Sequence, residues 1–398
     1  MKTAYKSTRI LTESGLQDGY LVIEGSTIVS FQTNVETMDV VDCGNDRILP
    51  GIFDTHNHGS LGYSLMGTGD REEGKQNVSG YLKGIASQGV TSIFPTADRS
   101  LFGVIADLAN DNRHDGAQIL GIHSEGPWLN RVGEKGIKTG WPTVDLETAK
   151  GMVDDAKGWL KLVALAPEIP GIDEIRDYFL SEGITLAYAH SDMNYEEATK
   201  AFDAGITVST HTGNVMTGLH HRDIGGLGAA LLHESVDCEI ICDGKHVDLN
   251  MLKIYFKVKD YDRFMMISDC TPLSGAPCGR YPLFGDMNVT ITPEGFSLSD
   301  TGRLMGSTMP VLYGMKNLVE ILDIPLETVS RMASLNPCRK YGYGDTKGSL
   351  APGKDADFIV IDETFNVKKT IVNGKVVYDR TIDTDLFDRD FLKKALKP

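Results

Sequence analysis

Four of the ten histidines stand where a short apolar run ends. His56 and His58 close Pro50-Gly51-Ile52-Phe53-Asp54-Thr55-His56-Asn57-His58, His190 closes Ala187-Tyr188-Ala189-His190, and His211 closes Val208-Ser209-Thr210-His211. Two carboxylates occupy equivalent positions, Glu125 in Ile122-His123-Ser124-Glu125-Gly126-Pro127 and Asp269 in Ile267-Ser268-Asp269-Cys270. Imidazole and carboxylate are the ligands of zinc, iron and manganese. A cation held this way acidifies water and polarises a carbonyl. Taken singly, each residue has a plainer reading. His-x-His is a weak motif, a lone histidine can be a satisfied core residue, Glu125 can pair with a basic neighbour, and Asp269 can cap a helix. Taken together, five run ends presenting His-x-His, Glu, His, His and Asp are better explained by one site than by five coincidences.

Such a site needs a fold that brings run ends to one mouth. Apolar runs recur at 48–55, 89–96, 118–123, 161–166, 183–190, 205–210, 236–242 and 263–268, with helical patterns such as 72–88, 145–159, 194–204 and 248–259 between them. Gly89-Val90-Thr91, Gly183-Ile184-Thr185 and Gly205-Ile206-Thr207 repeat one device: glycine ends a helix and a β-branched residue opens a strand. Eight such units predict a (β/α)8 barrel, whose catalytic face is the C-terminal end of its strands. Strand side chains alternate, so His56 and His58 share a side. No Gly-x-Gly-x-x-Gly follows the first strand, so a dinucleotide fold has no support. The chain ends differ from the middle. Residues 20–31 read as two strands about Gly25-Ser26, 357–361 as a strand, and 370–377 as a hairpin turning at Asn373-Gly374.

Composition bounds the partners. The 398 residues carry a net charge of −16, which disfavours nucleic acid and anionic membrane as partners. No apolar run approaches a membrane span and residues 1–15 lack the apolar core of a signal peptide. Six cysteines form no paired framework, so reduced thiols and a cytoplasmic location are expected.

The ordered motifs make the chain similar to the N-acetylglucosamine-6-phosphate deacetylase family of the amidohydrolase superfamily. They are Asp54-x-His56-x-His58-Gly59, His123-x-Glu125-Gly126-Pro127, His190-Ser191, His211 with Asn214-Val215-Met216 and Arg222, Asp243-Gly244-x-His246, Ser268-Asp269, Gly306-Ser307, Asn336-Pro337, and Gly348-x-Leu350-Ala351-x-Gly353-x-Asp355-Ala356-Asp357. The resemblance implies an α/β fold: a distorted TIM barrel over 50–345 and a small β-sandwich built from 1–49 and 346–398. It implies one divalent metal on Glu125, His190 and His211, and a second on His56 and His58 with Glu125 as bridge. Asp269 would be the catalytic acid–base group. Asn214, the Val215 backbone, Arg222 and His246 would bind a phosphorylated amino sugar, and the protein would be a homodimer.

Three departures bear on the substrate. Where the family runs through Lys-Gly-Ala-His, this chain has Lys135-Gly136-Ile137-Lys138, so either Lys138 takes the histidine's role or the pocket has changed. Ser124 and Cys270 replace the usual neighbours of the two carboxylates; Cys270 reads as packing. Strand four, Val163-Ala164-Leu165-Ala166-Pro167-Glu168, has no lysine at its exit to be carbamylated as in many other amidohydrolases, and Glu168 reads as structural. Arg222 has a rival role as a surface partner of Asp223. The expected reaction is hydrolysis of the acetamide of N-acetylglucosamine 6-phosphate. The alternatives are its galacto epimer, another N-acyl substrate of the D-aminoacylase or dihydroorotase kind, and a scaffold without activity.

Overall fold

Glycines 89, 183 and 205 do end helices in the left-handed region, with φ of 87°, 71° and 106°, and each is followed by a strand of one parallel barrel. This computed structural model describes residues 2–36, 38–67, 70–111, 115–132, 137–138, 142–284, 287–388 and 390. The eight barrel strands are Ile52–Asn57, Val90–Pro95, Ile122–Glu125, Leu160–Leu165, Thr185–Tyr188, Val208–Ser209, Asp237–Ile241 and Phe264–Ile267. Strands three to eight pair in sequence order as one parallel sheet, and strands one and two pair in a second.

Closure happens at the C-terminal rim. Single bridges join Thr96 to His123 and Asn57 to Cys270. Asp269 N–H donates to the His56 carbonyl at 2.9 Å and His58 N–H to the Cys270 carbonyl at 2.8 Å. The bonds that complete the barrel therefore also set the expected acid–base residue beside the His-x-His pair.

Along strand four the pleat separates two cores. Leu162 and Ala164 enter the barrel interior with Phe53, Phe94 and Met265, while Val163 and Leu165 face the helical layer. Phe53 and Phe94 meet edge to face at 5.0 Å inside the barrel. Burial of each such ring contributes roughly 1.5–3 kcal/mol, so the interior is a packed plug rather than a channel.

Both chain ends contribute to one eight-stranded sheet. Five strands lie between Lys2 and Pro50, and Phe358–Ile361, Val367–Val372 and Lys375–Asp379 complete it. The join is the antiparallel pairing of Phe358–Ile361 with Arg47–Pro50, immediately before the first barrel strand. The sheet has its own core around Tyr5, Leu21, Ile48, Phe358 and Ile371. Asn373 and Gly374 both take positive φ, 49° and 74°, as their hairpin turn requires. A further three-stranded sheet, Gly279–Phe284, Met287–Ile291 and Ser297–Ser299, follows the last barrel strand and was not expected from the sequence. The chain that leaves it carries Leu304, Met305 and Gly306 to the barrel mouth. All six cysteines are free, and among the described residues no helix is long and apolar enough to cross a membrane.

Candidate metal centre and active-site cavity

Three of the strand-exit residues reach the mouth through an unusual backbone. His190, His211 and Asp269 have φ of 50°, 29° and 48°, left-handed values that cost L-residues roughly 1–3 kcal/mol and collect at functional sites. Such a bend at the end of a strand turns the side chain over the barrel axis instead of along the sheet.

The result is a tight donor cluster. Glu125 Oε1 lies 3.0 Å from both His190 Nε2 and His211 Nε2, which are 3.1 Å from each other. On the other side, Glu125 Oε2 is 3.1 Å from His58 Nε2, and His56 Nε2 is 3.1 Å from His58 Nε2. Glu125 is thus shared by two groups, one with His56 and His58 and one with His190 and His211. Tetrahedral ligands about 2.1 Å from an ion stand about 3.4 Å apart, so the spacing suits cations of the zinc class. Asp269 Oδ1 faces the cluster at 3.5 Å from His58 Nε2 and 3.6 Å from His56 Nε2.

Electrostatics agree with the donor chemistry. Burial alone would push the His56 imidazole down, but Glu125, Glu239 and Asp269 together raise it to about 10. Burial alone would push Glu125 up, but His190 and His56, with hydrogen bonds from His190 and His211, hold it well below its usual range. A pocket that binds a proton this tightly also favours a cation in its place. His123 is different. Burial and the neighbouring His56 push it well below its ordinary value, and its Nδ1 sits 3.0 Å from Thr96 Oγ1 and 3.1 Å from the Thr55 carbonyl. It packs edge-on against His56 at 4.6 Å and holds that ring rather than an ion.

The cluster floors a cavity of about 250 Å³. Asn214, Val215 and His246 line one part of it, and Met66, Thr271, Leu304 and Met305 form an apolar wall. Gly213, at φ 99°, makes the Asn214–Val215 turn possible, since a Cβ there would lie 2.2 Å from Tyr255 Oη. Asn214 N–H donates back to the His211 carbonyl at 2.9 Å, and Val215 takes φ 51°. His246 Nδ1 is 2.8 Å from Asp243 Oδ2, and the same carboxylate accepts from Ser307 Oγ at 3.3 Å. Cys270 is fully buried, directs Sγ at the Met309 carbonyl, and has its thiol pushed up to about 12 by burial; it is packing, as expected. Glu168 is structural too, accepting from Asn130 Nδ2, Ser191 Oγ and Asp192 N–H.

Nine of the eleven expected site residues therefore converge: His56, His58, Glu125, His190, His211, Asp269, Asn214, Val215 and His246. Arg222 does not join them within one chain. Its Nη1 is 2.7 Å from His221 Nε2 on an exposed surface beside Asn194, Tyr195 and Glu196. Nor is Asp223 its evident partner, since Asp223 Oδ1 accepts from Gly225 N–H at 2.9 Å. Arg222 stands eleven positions after His211, and that spacing does not say which way the loop folds. The Lys138 side chain lies outside the described residues. Two residues were given no role by sequence reasoning. Asp54 ties strand one to strand eight by accepting from Ser268 Oγ at 2.5 Å, and burial raises it to about 6. Glu239 lies fully buried behind His56; its signal was a lone acid inside the apolar run Cys238-Glu239-Ile240-Ile241.

Comparison with known proteins agrees with this geometry. Residues 47–377 match the amidohydrolase family. The chain is 33% identical over 349 residues to N-acetylglucosamine-6-phosphate deacetylase of Vibrio furnissii, covering 86% of this chain and 85% of that one. It is 29% identical over 385 residues to N-acetylgalactosamine-6-phosphate deacetylase of Escherichia coli O157:H7, covering 94% and 99%. The crystal structure of N-acetylglucosamine-6-phosphate deacetylase from Pasteurella multocida superposes with a TM-score of 0.85 at 25% identity, covering 94% of this chain and 99% of that one.

Proposed function

Because this chain belongs to the amidohydrolase family, and within it to the N-acetylglucosamine-6-phosphate deacetylases, we propose that it hydrolyses the acetamide of N-acetylglucosamine 6-phosphate to glucosamine 6-phosphate and acetate. The observation that carries this is the convergence of four imidazoles and two carboxylates on one cavity. One or two divalent cations, zinc, iron or manganese, held by Glu125, His190 and His211 and by His56 and His58, would supply an acidified water and a polarised amide carbonyl.

The chain's own residues do the rest. Asp269 Oδ1, 3.5–3.6 Å from the His58 and His56 nitrogens, accepts a proton from the attacking water. It then returns the proton to the sugar nitrogen as the C–N bond breaks, so that the amine leaves neutral. The apolar wall of Met66, Leu304 and Met305 keeps water from the acetyl end. His246, held by Asp243, faces the sugar as a hydrogen-bonding group. Asn214 and the Val215 backbone are the groups inside the cavity that suit the phosphate oxygens. A contribution from Arg222 would have to reach this cavity from outside it, and Lys138 remains a candidate at the loop.

The galacto epimer is the second reading, favoured by the 29% identity over nearly the full length of the Escherichia coli relative. The two sugars differ at one hydroxyl. The deciding experiment measures acetate released from both 6-phosphates and from unphosphorylated N-acetylglucosamine, with kcat/KM highest for the gluco 6-phosphate. We further propose a cytoplasmic homodimer, the location resting on six free thiols and the dimer on family resemblance.

A further inference from the structure

The cation group formed by His56, His58 and Glu125 has a carboxylate behind it that no step above uses. Glu239 sits in the middle of the seventh barrel strand, Asp237–Ile241, with no solvent exposure. Its Oε1 accepts from Thr55 Oγ1 at 2.5 Å. Among the described residues its Oε2 has no hydrogen-bond partner, and it lies 3.8 Å from His56 Nδ1, a buried atom that has none there either. A carboxylate oxygen and a ring nitrogen, each without a partner among the described residues, thus face each other inside the barrel. A buried carboxylate costs several kcal/mol unless something positive or proton-donating answers it. A movement of roughly 1 Å brings the pair to hydrogen-bond distance.

We infer that Glu239 is a positioning residue: it accepts the Nδ1 proton of His56, fixing the tautomer whose Nε2 lone pair faces the His58–Glu125 cation group. The inference rests on the reading that those three residues hold a metal. A carboxylate behind a ligating imidazole both orients the ring and raises its basicity, and its loss weakens metal binding about 10–100-fold. The other neighbours do not offer the same arrangement. His211 Nδ1 is buried without a partner among the described residues, and His123 Nδ1 is taken by Thr96 and Thr55. Thr55 in turn holds Glu239 Oε1 from the residue adjacent to His56, so that Oε2 is presented to the ring. The proton stays at His56 Nδ1 throughout. Glu239 touches neither substrate nor ion.

The test is occupancy, not turnover. Metal-free full-length protein is equilibrated across a buffered series of free Zn2+ and its zinc content measured. The intact chain should fill in two steps, and His56→Ala should lose the weaker one. Glu239→Gln, which still offers an oxygen to Thr55, should move the weaker step 10–100-fold to higher free zinc and leave the tighter step within about threefold. Thr55→Val, which cuts the strand-to-strand bond but keeps the charge, should shift the weaker step much less. If Thr55→Val does as much as Glu239→Gln, or both steps move together, Glu239 is only a strand tie and the inference fails. If His56→Ala loses the weaker step but Glu239→Gln keeps it in place, the inference fails while the metal reading stands. If His56→Ala changes nothing, the His56–His58–Glu125 group holds no cation and the inference fails, while a single cation on Glu125, His190 and His211 still stands. Should Glu239→Gln not fold, nitrogen-15 NMR of the histidine-labelled, zinc-loaded intact protein decides. The signal missing in His56→Ala should report a protonated Nδ1 and a metal-bound Nε2; the opposite tautomer overturns the inference.

Discussion

Asp269→Asn isolates the proton-transfer role because the structure predicts that little else changes. Asp269 is held by its backbone: its N–H donates to the His56 carbonyl at 2.9 Å and its carbonyl accepts from Ser307 N–H at 2.8 Å. Its φ of 48° is a value that asparagine tolerates better than most residues. The amide is isosteric with the carboxylate, so the barrel closure and the neighbouring His56 should stay in place. What is lost is a group, 3.5 Å from His58 Nε2, that can take a proton at neutral pH. General acid–base groups contribute about 10²–10⁴-fold, and at about 1.36 kcal/mol per decade that raises the barrier by roughly 3–5 kcal/mol. The assay is acetate release from N-acetylglucosamine 6-phosphate, with metal content determined on the same sample. We expect kcat to fall by at least two decades at unchanged metal content. Turnover within a few-fold of the parent at equal metal would refute the role of Asp269.

Other changes test the scaffold and the cation. His190→Ala should strip the tighter cation and abolish hydrolysis, since Nε2 lies 3.0 Å from Glu125 Oε1; elemental analysis checks this. Gly213→Ala should cost roughly 1–3 kcal/mol and lower kcat/KM at least tenfold, because the new Cβ is both at φ 99° and on top of Tyr255 Oη; melting and kinetics report the two effects separately. Lys347→Met should lower stability by about 3–5 kcal/mol without changing kcat/KM well below the melting point. It leaves buried Asp357 without the ammonium that lies 2.5 Å from it, and frees Asp355 at 2.8 Å. Burial pulls the Lys347 ammonium down, but Asp357 and Asp355 win and hold it above its ordinary value. Its stabilisation is therefore complete below the unfolded-state value of about 10.4 and lost as pH rises through the higher folded one. The parent's melting temperature should fall across that alkaline window, and the Met variant should lack that component.

Much of the architecture was legible because it follows from local chemistry. Glycine stops and β-branched starts mark where helix becomes strand, and Gly89, Gly183 and Gly205 take the left-handed φ that the pattern requires. The candidate site residues were legible for a related reason. A polar residue at the end of an apolar run in a barrel points to the rim, and His56, His58, Glu125, His190, His211 and Asp269 meet there. The sheet from Gly279 to Ser299 was not legible, because its strands are short and the first of them carries Pro282. Where Arg222 lies was not legible, because loop length does not encode loop direction; in the single chain it sits beside Asn194, Tyr195 and His221. Glu239 was passed over because an acid inside an apolar strand shows its purpose only when the opposite wall of the barrel supplies His56 and Thr55.

The central claim is that this cluster performs metal-dependent removal of acetate from a phosphorylated amino sugar. Its most direct test compares chelator-stripped protein with the same protein reloaded with Zn2+, Fe2+ or Mn2+, acting on N-acetylglucosamine 6-phosphate. Acetate and free amine are quantified together. The account predicts that the stripped protein is inactive and that reloading restores release of both products in equal amounts. Full activity in the stripped protein, or no acetate from the reloaded one on either epimer, would contradict it.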